Sequence, residues 1–258
     1  MNPLKTDRPV VLVTGGAKRI GKAIVEDLTA HGFAVGIHCN HSRDEGEELL
    51  TDIYAAGGTA CLVQADLLDS KAVRRLVADV QVQLGPVQLL VNNASTFQED
   101  GIGNLTNDQI WERHFAVHVK APVLLADAMA AALPENLDGL VVNMIDHRVW
   151  KLTPKFTSYT LSKSALWTAT QTLAQALAPR IRVNAIGPGP TMPSQRQTPA
   201  DFDRQVSTLL LKHGPDLSEF GRTIRYLWQT RSITGQMIAL DGGQHLAWET
   251  PDVSGIAE

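Results

Sequence analysis

Seven short apolar runs punctuate the chain: PVVLVTG (9–15), FAVGIHC (33–39), TACLVQAD (59–66), VQLLVNNA (87–94), GLVVNMID (139–146), IRVNAIGPG (181–189) and QMIALDGG (236–243). They are apolar throughout instead of alternating, which is what strands covered on both faces of a parallel sheet require. Amphipathic segments separate them, at 18–32, 43–58, 70–85, 107–133 and 158–178, most of them closing near a Gly or Pro as helices do. Strands alternating with helices predict an α/β fold, a doubly wound parallel sheet with helices on both faces and a ligand at the carboxyl ends of its strands. The pattern runs unbroken through all 258 residues, so a single domain is expected. The weakly periodic stretch 191–216, with its Pro and Gln residues, is expected to form a lid over the ligand site.

Charge and composition narrow the possible partners. A formal net charge of -4 offers no basic surface for nucleic acid or an anionic membrane. Cys39 and Cys61 lie inside apolar runs and read as small core residues of a protein from a reducing, cytoplasmic compartment. The amino-terminal tail is polar and leads directly into the first strand without an apolar leader, and no uninterrupted 18-residue apolar run suggests a membrane span. The histidines show no metal-ligand spacing, so no metal is expected.

The first strand turns into its helix through TGGAKRIG, residues 14–21. Gly15 and Gly16 permit a tight turn and close approach of a pyrophosphate, Gly21 lets the helix sit near the sheet, and the helix amino terminus offers free N–H groups. The bland alternative is a simple strand-to-helix turn. Arg19 stands where a G-x-x-x-G-x-G spacing has its middle glycine, placing a cation beside the phosphates. About 20 residues on, an acid would bond the ribose 2′-hydroxyl of NAD. The second strand ends instead on His38, Cys39, Asn40, His41, Ser42 and Arg43, none of them acidic, so NADP(H) is the expected cofactor. Arg43 reads equally well as a solvated loop residue. Asp66 and Leu67 are placed to meet the adenine, and Asn93, Ala94 and Ser95 are small enough to admit a flat cofactor.

Tyr159 and Lys163 stand one helical turn apart in YTLSK, and a nearby cation favours tyrosinate. With the glycine turn, NNA, NAIGPGP and DGG in that order, the chain resembles the short-chain dehydrogenase/reductase family over almost its whole length. That resemblance implies a Rossmann-type fold and a nicotinamide cofactor, which Lys18, Ile20, Pro188 and Gly189 would also help to hold. It further implies Tyr159 as acid or base, Lys163 binding the ribose and lowering the tyrosine pKa, and a homotetramer packed through the helices that carry Trp111 and Tyr159.

Two positions depart from that pattern. The family's Ser, thirteen residues before the Tyr, is Asp146 here, and its helix Asn is His118. An ionised Asp146 would raise the pKa of Tyr159, against the lysine, unless it were protonated or held by substrate. Both departures, with Arg19, NNASTF and NMID, resemble the pteridine reductases, and the carboxyl-terminal ITGQMIALDGGQHL is similar to the bacterial dihydromonapterin reductases among them. By that resemblance Phe97 stacks on a pterin, Ser95 and Arg19 meet its polar edge, and Asp146 pairs with its nitrogens or, when protonated, gives a second proton. Asp146 could instead cap its loop, Phe97 could be core, and His118 could be either a satisfied buried histidine or a water-relaying group. The expected activity is NADPH-dependent reduction of a dihydropteridine C=N bond. A carbonyl reductase and a non-catalytic NADP(H) sensor are the alternatives.

Overall fold

A computed structural model of the chain describes residues 8–103, 108–194, 197–250 and 254. Residue 107, the expected start of the long helix, and residues 195 and 196 of the expected lid lie outside them. Strands β1 (Val10–Val13), β2 (Ala34–Cys39) and β3 (Thr59–Gln64) alternate with helices α1 (Arg19–Ala30), α2 (Arg43–Ala55) and α3 (Ser70–Leu84). The second half runs β4 (Val87–Asn92), α4 (Asp108–Phe115), a π-helical turn at Ala116–Lys120, α5 (Ala121–Ala132), β5 (Gly139–Met144), α6 (Thr157–Leu177) and β6 (Ile181–Pro188). Helices α7 (Pro199–Ser207) and α8 (Leu217–Gln229) and strand β7 (Met237–Leu240) complete it.

The strands form one parallel sheet in the order β3-β2-β1-β4-β5-β6-β7. Each apolar run is a strand because both of its faces are covered. Ile24, Val25 and Leu28 of α1, Leu49 of α2, and Phe220, Ile224 and Leu227 of α8 pack one face. Val73, Leu76 and Val80 of α3 and Leu125 and Met129 of α5 pack the other. The order in which successive strands are added reverses between β1 and β4, and the cleft opens at their carboxyl ends.

Three details differ from the expectations. The stretch 108–132 is long and apolar enough, by length and composition, to cross a membrane, where none was expected; here Leu125, Ala126 and Met129 are fully buried in the core beneath the sheet. The expected lid contains α7, which starts at a capping box between Thr198 and Asp201 and buries none of its residues. Helix α8 was not expected, although Asp216 and Glu219 form a capping box ahead of Phe220, Ile224 and Leu227. Both cysteines are buried and unbridged.

Candidate active site

The glycine turn is built around two close approaches. A Cβ on Gly21 would stand 2.0 Å from the Gly15 carbonyl oxygen and 2.6 Å from Asn93 Nδ2, so no other residue fits there. Asn93 Nδ2 donates to the carbonyls of Thr14 and Gly15 at 2.9 and 3.0 Å, tying the turn to the end of β4. Arg19 keeps the left-handed backbone that glycine would take, with φ of 52°. Its guanidinium reaches the Pro193 carbonyl at 3.2 Å.

A cavity of about 430 Å³ opens over this turn. Gly15, Lys18, Arg19, Ile20 and Gly21 form its floor. Asn40, His41, Ser42, Asp66 and Leu67 line one end, and Asn93, Ala94 and Ser95 the other. His38 also lines it, but both ring nitrogens are engaged within the protein. Nδ1 accepts from Gly15 N–H at 3.1 Å, and Nε2 faces the Ala65 carbonyl at 3.1 Å. Burial pushes its pKa down to about 4, so His38 is a neutral prop beneath the turn and offers no cation to a phosphate. Arg43 pairs with Glu47 at 2.8 Å, and Lys18 pairs with Glu45.

Arg19 and Ile20 are shared with a second cavity, of about 540 Å³, that holds Phe97, Asp146, Tyr159, Pro188 and Gly189. From the stretch 191–216, Met192, Gln197, Phe202 and Gln205 line one side of it. Tyr159 Oη donates to Asp146 Oδ2 at 2.9 Å, and the Phe97 ring stands edge-on to Tyr159 with centroids 4.7 Å apart. Phe97 also packs against Phe156 at 4.5 Å. Phe97 lies on the cavity wall, not in the core.

Electrostatics at this pair corrects two expectations. Burial alone would raise the Asp146 carboxyl, but His147 at 3.1 Å and the Arg148 guanidinium at 3.0 Å hold it down to about 2. Asp146 is therefore a carboxylate, not a protonated second donor. Tyr159 is pushed well above the ordinary tyrosine range, first by burial and then by Asp146, with Arg148 and a hydrogen bond from Ser95 opposing. The expected lowering by Lys163 does not prevail: its Nζ donates to the Met144 carbonyl at 2.8 Å and stands 5.8 Å from the Tyr159 ring. Lys163 lines neither cavity, and burial brings its own pKa down to about 8.

Several residues of the site were not anticipated. Arg148 bridges Asp146 and lies over the Phe97 and Phe156 rings at 5.7 and 5.8 Å. Asp100 accepts from Ser158 N–H through both oxygens, at 3.2 and 3.1 Å, capping α6 from a distant segment and fixing the turn that carries Tyr159. His114 stands one turn before His118, with the rings stacked 5.5 Å apart. Only HFAVHVKAP, with two histidines four apart, signalled that pair in the sequence.

Comparison with known proteins places this arrangement. A Brucella canis FolM alternative dihydrofolate reductase 1, crystallised with NADP, is 67% identical over 95% of this chain and 97% of its own, with a TM-score of 0.93. Dihydromonapterin reductase of Klebsiella pneumoniae is 28% identical over 93% of this chain and 97% of its own. A 3-oxoacyl-[acyl-carrier-protein] reductase of Staphylococcus epidermidis is 26% identical over 91% and 98%. The family model described as short chain dehydrogenase matches residues 9–203. With that match, the parallel sheet and the glycine turn, the chain belongs to the short-chain dehydrogenase family.

Proposed function

We propose that this protein is an NADPH-dependent reductase of dihydropteridines, adding hydrogen across a ring C=N bond. The observation that carries it is the buried Tyr159–Asp146 pair beneath Phe97: a proton donor, a fixed carboxylate and an aromatic wall meet in one cavity. The NADP-bound Brucella protein at 67% identity supports the cofactor and the substrate class together.

The residues around the glycine turn fit a dinucleotide. Gly21 leaves room for close approach, the first N–H groups of α1 are free to meet phosphate oxygens, and Arg19 brings positive charge to a cavity rim where Asn40, His41 and Ser42 present donors and no acid. When bound, NADPH supplies hydride to the substrate carbon. Lys163, hydrogen-bonded to the Met144 carbonyl, would hold the ribose only by turning toward the cavity, and Tyr159 would deliver its proton to the ring nitrogen. A tyrosine kept protonated by burial and by Asp146 suits reduction, which needs the acid form at the outset. The ionised Asp146 accepts N–H groups of a pterin edge, an interaction a Ser in its place would offer more weakly. Ser95 and Arg19 meet the opposite polar edge.

Residues 191–216 as a lid, a single catalytic domain, assembly as a homotetramer and residence in the cytoplasm belong to the same proposal. Met192, Phe202 and Gln205 on the cavity wall support the lid, and two buried, unbridged cysteines fit a reducing compartment. The test is NADPH oxidation followed at 340 nm with 7,8-dihydromonapterin, 7,8-dihydrobiopterin, dihydrofolate and simple ketones. Turnover confined to the dihydropteridines is expected; turnover of ketones alone would favour a carbonyl reductase and contradict the proposal.

A further inference from the structure

The segment that follows β4 carries Ser95 and Phe97, and two histidines of the neighbouring helix hold it by its backbone. Thr96 N–H donates to His118 Nε2 at 3.2 Å, and Gln98 N–H donates to His114 Nε2 at 3.2 Å. An amide N–H is only a donor, so each Nε2 must carry a lone pair and each proton must sit on Nδ1. The Nδ1 partners agree: Ser162 Oγ lies 2.9 Å from His118 and Ser158 Oγ 2.6 Å from His114. Ser95 Oγ adds a further contact to His118 Nε2 at 2.9 Å.

The spacing matches across the two segments. Four residues of helix rise about 6 Å, close to the span of two residues of open chain, roughly 6.6 Å, so histidines four apart meet N–H groups two apart. Phe97 lies between the two clamped amides, and its ring packs on Tyr159. The π-helical turn places His118 at its centre, and Pro122 has no N–H to offer the His118 carbonyl, which lets the helix ladder widen there.

Resting on the dihydropteridine reading above, we propose that His114 and His118 are positioning residues. Their two neutral imidazoles clamp residues 96 and 98 and thereby fix the Ser95 hydroxyl and the Phe97 ring against Tyr159. On its Nδ1 side His118 has no outlet for a proton, because Ser162 Oγ donates onward to the Tyr159 backbone carbonyl at 2.8 Å and that path closes on the protein. Burial holds both rings below the ordinary histidine range and Lys163 acts in the same direction, while Asp100 opposes at His114. Tyr159 is the other titratable group facing the pair. Protonation would turn each Nε2 into a donor aimed at a donor and release the segment.

Two measurements decide this. In the first, ¹⁵N-histidine NMR of the unaltered protein reports tautomers without any substrate. Two rings held as neutral Nδ1–H forms at about pH 7 to 8 and titrating, if at all, below the ordinary histidine range are expected, and either ring found as Nε2–H or titrating near 6.5 would overturn the clamp. The second compares His118→Phe, which keeps a ring but removes the acceptor, with His118→Gln, whose amide oxygen reaches the Nε2 position. The Phe variant should raise KM for the reducible substrate about tenfold or more, the Gln variant should restore it to within about threefold, and Kd for NADPH should move less than threefold in both. Equal KM in Phe variant and parent, or equal damage from Phe and Gln, would overturn the role. If dihydropteridines prove not to be the substrate, the NMR result still decides the clamp.

Discussion

Tyr159 Oη and Asp146 Oδ2 lie 2.9 Å apart, a phenol donating to a carboxylate that a hydrogen bond from His147 and the Arg148 guanidinium keep ionised. The carboxylate raises the tyrosine pKa, so it cannot help to form tyrosinate; it holds the acid form and leaves its other oxygen within reach of His147 and Arg148. Such a pair keeps Tyr159 in the acid form that a reduction consumes.

Replacing Tyr159 by Phe removes that proton and leaves the ring packed against Phe97. Turnover should fall about 10²- to 10⁴-fold with NADPH affinity nearly unchanged. Stopped-flow hydride transfer and fluorescence titration of NADPH separate the two effects, and unchanged turnover would remove Tyr159 from the proton path.

Arg148 should set the acid limit of the enzyme. Asp146 has its pKa depressed, so its ionised form persists down to about pH 2 and contributes above that point. With Arg148→Gln, burial pushes the carboxyl upward with less opposition. The acid limb of kcat/KM should then shift to higher pH relative to the parent. Coincident acid limbs would mean that Arg148 does not govern the carboxylate.

At Arg19 backbone and charge can be separated. Its φ of 52° is a conformation that glycine adopts freely, and a side chain there costs about 1–2 kcal/mol. Arg19→Gly relieves that strain while adding freedom to the unfolded chain, so stability should change by less than about 1 kcal/mol. NADPH binding should weaken about tenfold or more, through loss of a charge-assisted contact to the 2′-phosphate, with NADH binding little affected. Parallel losses for both cofactors would show that Arg19 serves the turn and not the phosphate.

His38 gives the fold an acid sensitivity. Its folded pKa of about 4 lies below the ordinary histidine value near 6.5, so its contribution is complete above pH 6.5 and is lost as pH falls toward 4. Between pH 7.5 and 5 the linkage amounts to about 2 kcal/mol. Guanidinium unfolding at those two pH values should show that loss in the parent and a smaller one in His38→Asn; equal losses would place the titration elsewhere.

The strands and the glycine turn were legible because they depend on local pattern. Apolar runs covered on both faces announce themselves, whereas the thirteen-residue offset that pairs Asp146 with Tyr159 came from the family resemblance and not from the local pattern. What was not legible depends on long-range pairing. Asp100 caps a helix 58 positions away, and His38 is withdrawn from the phosphate site only because strand pairing brings the Ala65 carbonyl to it. Arg148 was adjacent in sequence to the expected site, but its ion pair depends on the 3₁₀ turn His147–Val149 folding back over Asp146. Helix α8 was legible in principle, since the period of Phe220, Ile224 and Leu227 follows an Asp216–Glu219 box.

The most direct test of the account is the ratio of dihydropteridine to ketone turnover in the parent and in Asp146→Ser. If Asp146 is present to receive a nitrogen heterocycle, the Ser variant should lose dihydropteridine turnover about 10²-fold while ketone turnover is unchanged or rises, because a buried carboxylate–N–H pairing is replaced by a weaker hydroxyl contact. A dihydropteridine rate preserved in Asp146→Ser would contradict it.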